Sequence, residues 1–248
     1  MDRDAKAELL RGFHHAPPIL VLPNAWDVGS AQALAALPGC RALATTSGGV
    51  ARSLGFEDGE KAPAEEMVRA ASRIAAAVDV PVTADLERGY GDAPATARAA
   101  WDAGIVGMNL EDSTGGALVP VDAQVALIRA VKKAVPGLVL NARVDIFLRK
   151  AGGVDEAVER ANAYLAAGAD CTYPIFCPPE TVGPLVKGIS GPINVLLGRG
   201  MQSAQELEQL GVARVTWGSG LAQLAYDEAT RVAASSLSSV SLTASPPA

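Results

Sequence analysis

The sequence predicts a (β/α)8 barrel of the TIM type. Eight short apolar segments follow one another along the 248 residues, and the stretches between them have the pattern of helices. Eight strand–helix units in about 250 residues is the usual size of this barrel. Almost every apolar segment is followed by a polar or charged residue, and the carboxyl ends of barrel strands lie together on one face. We therefore expect an α/β barrel with polar side chains gathered at one end.

The predicted elements begin with an extra helix at residues 3–15, before the first strand. The predicted strands are residues 19–22, 42–45, 80–83, 105–110, 138–140, 170–173, 193–196 and 214–217. The predicted helices are residues 28–37, 63–78, 93–103, 121–134, 154–167, 178–187, 203–210 and 220–234. Ser203 with Glu206 three residues later is a capping box, which supports the start of one of them. We expect one barrel domain over residues 1–234 and a poorly ordered Ser/Pro-rich tail over residues 235–248.

The composition excludes several classes of protein. The net charge is −6, with no cluster of Lys and Arg, which argues against a nucleic-acid surface. No apolar run approaches the roughly 20 residues that span a bilayer. The N-terminus is too charged for a signal peptide, and the 3 cysteines have no metal-binding spacing. We expect a cytoplasmic protein with reduced thiols and without nucleic-acid or membrane partners.

Histidine is scarce, and this limits the possible chemistry. The only 2 histidines, His14 and His15, are adjacent near the N-terminus. A His-rich zinc site is therefore excluded, and a Ser-His-Asp triad would need one of these two residues. Acid–base chemistry falls to carboxylates, Tyr, Lys, Cys or water. Any metal site must be rich in oxygen, which favours Mg²⁺ or Mn²⁺.

Acidic residues follow two neighbouring strands directly. Asp85 and Glu87 are two residues apart, so in an extended segment they point to the same side. Glu111 and Asp112 end the next strand. Clustered carboxylates raise one another's pKa unless a cation neutralises them, so the pattern predicts a metal site. We expect Asp85 to bind the metal directly, with Glu87 and Glu111 acting through waters or as alternative direct ligands. The competing interpretation is an ordinary strand-to-loop transition with solvated or capping acids.

Arg143 follows the fifth predicted strand, within the segment Asn-Ala-Arg-Val-Asp at residues 141–145. A guanidinium group in the mouth of a barrel is costly unless it is paired, and its planar fork suits a carboxylate or phosphate. Arg143 therefore predicts an anionic substrate. A structural ion pair with Glu111 or Asp145 is the alternative, and the two roles are compatible.

A small-residue turn at residues 45–50 follows the second strand. Its Ser47, Gly48 and Gly49 can offer backbone N–H groups to an anion. Asp58 lies in the same loop and is either an acid of the site or a residue of a surface turn. Trp26, at the end of the first strand, either forms a wall of the pocket or packs in the core.

These motifs together resemble the isocitrate lyase/phosphoenolpyruvate mutase superfamily over nearly the whole chain. The specific segments are residues 46–50, 85–91, 109–113 and 141–145. The resemblance implies a modified barrel whose last helix, here residues 220–234, is swapped between the subunits of a homodimer or homotetramer. It also implies Mg²⁺ or Mn²⁺ as cofactor and a 2-oxo or 2-hydroxy carboxylate as substrate.

The resemblance also assigns roles to individual residues. Ser47, Gly48 and Gly49 would hold the substrate's carboxylate and keto oxygen, and Arg143 would bind a carboxylate. Around the metal it places Asp58, Asp85, Glu87 and Glu111. We take Asp58, Arg143, Glu111 and Tyr90 as the catalytic candidates, and we add Trp26, Tyr173 and Asn194 as substrate-binding candidates. Tyr90, Tyr173 and ordered water are the candidate proton donors.

The chain departs from the family pattern in two places. Lyases acting on isocitrate or methylisocitrate carry a Lys-x-Cys-Gly-His motif, where this chain has Ser-Thr-Gly-Gly-Ala at residues 113–117. Glu87 stands where many relatives have Asp. The expected function is cleavage of a C–C bond in a small 2-oxo or 2-hydroxy di- or tricarboxylate through a metal-bound enolate. The alternatives are oxaloacetate hydrolysis or decarboxylation, P–C bond mutase or hydrolase chemistry, and binding of a 2-oxo acid with little turnover.

Overall fold

Short runs of Val, Leu and Ala form the strands, because such side chains pack on both faces of a buried parallel strand. The computed structural model describes residues 1–239. Its strands are β1 (Leu20–Leu22), β2 (Asn24–Ala25), β3 (Leu43–Thr45), β4 (Val82–Asp85), β5 (Gly107–Leu110), β6 (Ser113–Thr114), β7 (Ala117–Leu118), β8 (Val139–Val144), β9 (Cys171–Pro174), β10 (Asn194–Leu196) and β11 (Arg214–Thr216).

The parallel strands close into a barrel. They are hydrogen-bonded in the orders β2-β3-β4-β5-β8-β9 and β1-β11-β10. A parallel bridge between Thr172 and Ile193 connects β9 to the chain just before β10. On the other side Pro23 separates β1 from β2, and its carbonyl accepts the Ala44 N–H at 3.0 Å. The predicted (β/α)8 class is confirmed.

Close packing of three strands sets the positions of the polar strand ends. A Cβ atom on Gly107 would lie 2.8 Å from Thr83 Oγ1 and 3.0 Å from the Val139 carbonyl, so only glycine fits where β4, β5 and β8 meet. Asp85 is in register with Asn109, and Asn109 is in register with Asn141. The residues that follow these positions therefore reach the same face of the barrel.

The helices surround the barrel and close its N-terminal face. They are α1 (Arg3–Gly12), α2 (Val28–Ala35), α3 (Ser47–Ser53), α4 (Ala64–Ala76), α5 (Ala93–Asp102), α6 (Val121–Ala134), α7 (Ile146–Arg149), α8 (Val154–Ala166), α9 (Val182–Gly188), α10 (Ala204–Leu210) and α11 (Gly220–Ser239). The extra helix α1 ends three residues earlier than predicted. Its Ala7 and Leu10 pack against Leu20, Leu22 and Val139 at the N-terminal end of the barrel.

Three elements were not predicted. The turn at residues 45–50 continues into the seven-residue helix α3, which begins after Thr46. The four-residue helix α7 follows β8 directly and ends at Lys150, whose φ is 52°. The strands β6 and β7 pair antiparallel as a small hairpin between the predicted strand at residues 105–110 and the predicted helix at residues 121–134. These elements are too short for a periodic pattern to reveal them.

The last helix, α11, continues to Ser239, five residues beyond its predicted end at residue 234. The first part of the predicted tail is therefore helical. Serine hydroxyls there bond back to the helix, from Ser236 to the Val232 carbonyl at 3.2 Å and from Ser238 to the Ser235 carbonyl at 3.0 Å. Residues 240–248, the rest of the predicted tail, lie outside the described residues.

Two further expectations concern reduced cysteine thiols and the lack of a membrane-spanning segment. Cys40, Cys171 and Cys177 are free thiols. Burial raises the pKa of Cys171 to about 12 and that of Cys177 to about 11, so neither is a ready nucleophile. Across residues 1–239, we find no helix with both the length and the apolar character needed to cross a lipid bilayer.

Candidate active site

A cavity of about 580 Å³ opens at the C-terminal face of the barrel. Polar groups from the ends of β4, β5 and β8 line one side, and apolar side chains line another. Its lining consists of Thr46, Ser47, Asp58, Gly59, Asp85, Glu87, Glu111, Arg143, Leu148, Arg149, Ile175, Phe176, Leu196, Leu197, Trp217, Gly218, Ser219 and Gly220. Six of the sequence-predicted residues are among them: Ser47, Asp58, Asp85, Glu87, Glu111 and Arg143.

A second cavity, of about 560 Å³, opens at the N-terminal face beside His14, His15 and Asp170. Its only carboxylate, Asp170, is already paired with Arg11 at 2.8 Å and with Lys132 at 2.9 Å. The charges there are satisfied by the fold. We therefore place the candidate active site at the C-terminal face.

Asp85 is the last residue of β4, and one of its carboxylate oxygens has no partner. Its Oδ2 accepts hydrogen bonds from the Ser47 hydroxyl at 3.0 Å and from the Ser47 N–H at 3.3 Å. Its backbone N–H donates to Thr45 Oγ1 at 2.9 Å. Its Oδ1 is buried and makes no hydrogen bond. A buried anionic oxygen without a donor is costly, which marks this atom as a ligand position.

Glu87 lies just beyond β4 with φ at 50°, the left-handed region. Its Oε1 accepts a hydrogen bond from the Tyr90 hydroxyl at 2.9 Å, and its Oε2 accepts one from the Glu60 N–H at 2.7 Å. Burial raises the pKa of Glu87 to about 7; the Tyr90 hydrogen bond opposes this shift, and the Asp58 and Asp85 carboxylates add to it. Both oxygens of Glu87 are thus held by the protein.

Arg143, on β8, is paired with two carboxylates. Its Nε and Nη2 donate to the two oxygens of Asp145 at 2.9 and 3.0 Å, and its Nη1 donates to Glu111 Oε1. Burial raises the pKa of Glu111 to about 8. Arg143 opposes this shift, and the Asp85 and Asp145 carboxylates add to it because they repel the charged form. The structural ion pair predicted for Arg143 is therefore present, with both candidate partners at once.

The ion pair continues into a second guanidinium group. The Ser113 hydroxyl, at the start of β6, donates to Asp145 Oδ2. The Ser113 hydroxyl oxygen in turn accepts from Arg149 Nε at 3.1 Å and from Arg149 Nη2 at 3.0 Å. One chain of hydrogen bonds therefore runs from Arg143 through Asp145 and Ser113 to Arg149, and both of its arginine ends line the cavity.

The comparison with known families agrees with this fold. The family model of phosphoenolpyruvate phosphomutase matches residues 10–237, nearly the whole chain. The chain belongs to the phosphoenolpyruvate phosphomutase family. Its family resemblance, expected from the four motifs, is confirmed.

Three members of this family or its structural relatives illustrate the similarity. An uncharacterized protein of Mycobacterium tuberculosis is 38% identical over 210 residues, which cover 84% of this chain and 80% of that protein. The 2-methylisocitrate lyase of Bacillus subtilis is 33% identical over 176 residues, which cover 66% of this chain and 58% of the lyase. A structure of oxaloacetate acetylhydrolase in complex with the product oxalate has a TM-score of 0.86 and 25% identity, and the match covers 99% of this chain and 91% of that chain.

These relatives place the chain among enzymes. Lyases and mutases acting on small carboxylates make up the superfamily. The lyase relatives support a carbon–carbon lyase activity for this family member.

The predicted metal residues reach one cavity without forming a closed ligand set. Within residues 1–239, no three side chains of His, Cys, Asp or Glu are grouped so that they could hold a metal ion by themselves. Asp85 has a free oxygen, and both oxygens of Glu87 accept hydrogen bonds within the protein. Glu111 is held by Arg143 through Oε1 alone. This arrangement fits one or two direct carboxylate ligands better than three.

Asp112, which the sequence placed beside the other acids, points away from the cavity. It is fully buried and accepts hydrogen bonds from the Tyr164 hydroxyl at 2.7 Å, from Arg160 Nη1 at 3.1 Å and from the Asp145 N–H at 2.8 Å. Asp112 thus anchors the backbone of Asp145, which in turn orients Arg143.

Gly48, Gly49 and Trp26 lie outside the cavity lining. A Cβ atom on Gly49 would lie 2.6 Å from Thr46 Cγ2 and 2.9 Å from Trp26 Cβ, so this glycine lets α3 pack closely against Trp26. The Trp26 ring in turn faces the Tyr226 ring of α11 at 6.4 Å. Of the two roles expected for Trp26, its position fits packing between α3 and α11 and not a wall of the cavity.

The two tyrosines and Asn194 are also absent from the lining. Tyr173 and Asn194 are buried inside the barrel, where the Thr216 hydroxyl is 3.4 Å from the Tyr173 hydroxyl and 3.3 Å from Asn194 Nδ2. The Tyr90 hydroxyl is engaged by Glu87. Burial raises the pKa of both tyrosine hydroxyls. These positions do not favour either tyrosine as the proton donor.

Several lining residues were missed in the sequence. Arg149 lies on α7, and Ile175 and Phe176 follow β9. Trp217, Gly218 and Ser219 follow β11. Only Ser219 carried a signal, as a polar residue after the last strand. The others lie in short elements that the barrel pattern does not specify.

Proposed function

We propose that this protein is an Mg²⁺- or Mn²⁺-dependent carbon–carbon lyase that acts on a small 2-oxo or 2-hydroxy di- or tricarboxylate. The observation that supports this best is the meeting of Asp85, Glu87 and Glu111 with Arg143 in one cavity at the carboxyl ends of the strands. The carboxylates suit a divalent cation, and the guanidinium group suits an anionic substrate.

The residues present fit a hydrated divalent cation. The buried Asp85 Oδ1, which has no hydrogen bond, would be the direct ligand, and Glu87 and Glu111 would act through waters. Mg²⁺ usually keeps several waters and takes only one or two carboxylates, so a larger ligand set is not needed. When bound, the cation supplies Lewis-acid stabilisation of negative charge that develops on a substrate oxygen.

Arg143 has free donors for the substrate although it is paired twice. A guanidinium group has five N–H donors, and three of them are used by Glu111 and Asp145. The remaining N–H groups can bind a carboxylate, and the pairing fixes their direction. Such preorganised donors cost little reorganisation when charge develops.

The apolar wall of the cavity suits the breaking of a C–C bond. Leu148, Ile175, Phe176, Leu197 and Trp217 contribute to this wall. Exclusion of water strengthens electrostatic interactions and protects an enolate from uncontrolled protonation. The positions of Tyr90 and Tyr173 argue against both as the proton donor, so ordered water is the candidate that is left.

Two other functions have specific support. Oxaloacetate hydrolysis is supported by the structural similarity to oxaloacetate acetylhydrolase over 99% of this chain. Ligand binding with little turnover is supported by the hairpin at Ser113–Thr114 and Ala117–Leu118, which occupies the place of the Cys-Gly-His segment of isocitrate-type lyases.

We also propose that the chain forms a homodimer or homotetramer in which α11 is exchanged between subunits. Leu224, Val232 and Leu237 on α11 are 66%, 51% and 75% exposed. Large apolar side chains repeated along one helix are normally covered by another surface.

A panel of small acids would test the proposed function. Isocitrate, 2-methylisocitrate, 2,3-dimethylmalate and oxaloacetate are incubated with Mg²⁺ or EDTA, and the products are detected by mass spectrometry. We expect product only with the metal, and we expect Asp85→Asn to lose it together with Mg²⁺ binding by calorimetry. Asp79→Asn, the same change at an exposed aspartate, is the control. Turnover in EDTA, or unchanged Mg²⁺ affinity in Asp85→Asn, would contradict the proposal. Hydrolysis of oxaloacetate alone, or binding without product, would favour one of the alternatives.

A further inference from the structure

The cavity contains two guanidinium groups that differ in how their charge is balanced. Arg143 is paired with the carboxylates of Glu111 and Asp145. Arg149 donates only to the Ser113 hydroxyl. Within residues 1–239, no carboxylate lies within salt-bridge distance of Arg149. The positive charge of Arg149 is therefore not balanced by any carboxylate in the described part of the chain, unlike that of Arg143.

The contact with Ser113 does not satisfy Arg149. The Ser113 hydroxyl proton is donated to Asp145, so its oxygen can only accept from Arg149. Nε and one N–H of Nη2 use this contact, and in the described chain Nη1 makes no hydrogen bond. A half-buried guanidinium group with free donors in a cavity is suited to a planar anion, which it can hold with two parallel hydrogen bonds.

The backbone holds Arg149 at the cavity. It is the last residue of α7, a single helical turn that begins three residues after Arg143. Lys150 then adopts the left-handed conformation with φ at 52°, which ends the helix there. The side chain of Arg149 is further held by Ser113, the first residue of the hairpin. The hairpin itself, Ser-Thr-Gly-Gly-Ala at residues 113–117, offers no cation.

We propose that Arg149 binds a second carboxylate of the substrate and thereby makes the enzyme selective for dicarboxylates over monocarboxylates. This inference rests on the proposed function, in which the acidic cluster and Arg143 hold the reacting 2-oxo or 2-hydroxy acid end. Arg149 is then a specificity-determining residue at the other end of the same ligand. Ser113 is a positioning residue, because it acts through Arg149.

Matched pairs of ligands isolate the contribution of one carboxylate. Pyruvate and oxaloacetate differ by a single carboxylate, and so do 2-oxobutyrate and 2-oxoglutarate. Binding with Mg²⁺ is followed by tryptophan fluorescence, since Trp217 lines the cavity, and by calorimetry. The proteins compared are the wild type, Arg149→Gln, Arg149→Lys and, as control, Lys150→Gln at the exposed neighbouring position.

We expect the wild type to bind the dicarboxylate of at least one pair more tightly than its monocarboxylate. A charge-assisted pair of hydrogen bonds is worth about 10- to 100-fold in affinity. Arg149→Gln should therefore weaken dicarboxylate binding about 10- to 100-fold and leave monocarboxylate binding within about twofold. Arg149→Lys should keep part of the preference, because it retains the charge without the fork. Lys150→Gln should behave as the wild type.

Three outcomes would overturn the inference. Wild type without a preference for either dicarboxylate would show that no second carboxylate is recognised. Equal weakening of both members of a pair in Arg149→Gln would show a structural role through Ser113. An unchanged preference in Arg149→Gln would place the recognition elsewhere. By contrast, wild type that binds none of the four acids in an Mg²⁺-dependent way would contradict the proposed function itself.

Discussion

The acid sensitivity of the fold should depend on one histidine. His14 is only 5% exposed under α1, at the N-terminal face of the barrel. Its Nδ1 is 2.9 Å from the Leu10 carbonyl, and its Nε2 is buried without a hydrogen bond in the described chain. Burial lowers the pKa of His14 to about 3, and the nearby fully buried Arg214 adds to the shift.

The direction of the effect follows from proton binding. In the unfolded chain, His14 titrates near 6.5. As the pH falls below that value the unfolded state binds a proton that the folded state excludes, so the free energy of unfolding decreases. The decrease is about 1.4 kcal/mol per pH unit and stops below about pH 3. Between pH 7 and pH 4.5 it amounts to about 2.5 kcal/mol.

His14→Gln tests this prediction, because glutamine can still bond the Leu10 carbonyl and does not titrate. Urea unfolding is measured at pH 7 and pH 4.5 by circular dichroism for the wild type, His14→Gln and His15→Gln. His15 is an exposed neighbour and serves as the matched control. The loss of stability between the two pH values should be smaller in His14→Gln by about 2.5 kcal/mol. Equal losses in all three proteins would refute the reasoning, since other titrating groups contribute alike to each.

Three further predictions concern the site and the assembly. Arg143→Lys should weaken Mg²⁺-dependent binding of 2-oxo acids about 10- to 100-fold in calorimetry, since an ammonium group cannot bridge two carboxylates and still offer a fork to a ligand; unchanged affinity would argue against its role. Leu224→Glu combined with Leu237→Glu should shift a light-scattering mass towards the monomer, and a wild type that is already monomeric would count against helix exchange. Tyr90→Phe should reduce turnover by less than about tenfold, because Tyr90 only holds Glu87, whereas a loss of about 10²–10⁴-fold would identify it as the acid.

Part of the site could be placed from the sequence because barrel geometry is regular. Asp85, Glu111 and Arg143 end or follow neighbouring parallel strands, and the carboxyl ends of such strands must share a face. The residue types then suggested the chemistry. The structural pairing of Arg143 with Glu111 and Asp145 was also among the stated alternatives.

The remaining site residues depend on contacts that no local pattern encodes. Arg149 reaches the cavity only because a single helical turn follows β8 and Ser113 holds its side chain. Tyr173 is at a strand end, as predicted, but its side chain is buried inside the barrel. Gly49 was expected to offer its N–H to an anion. In the structure, its lack of a side chain lets Trp26 pack against α3.

Because α1 closes the N-terminal face, the part of the protein that stabilises the fold is separate from the part that would bind a ligand. The residues that seal that face, such as Leu10 and Leu20, belong to an apolar cluster, while the residues that would contact a ligand are at the other end of the strands. Changes at distant sites without shared partners usually add independently. A designer could therefore raise tolerance to heat or acid around α1 first, and use the stability gained to explore new substrate preferences at the opposite mouth.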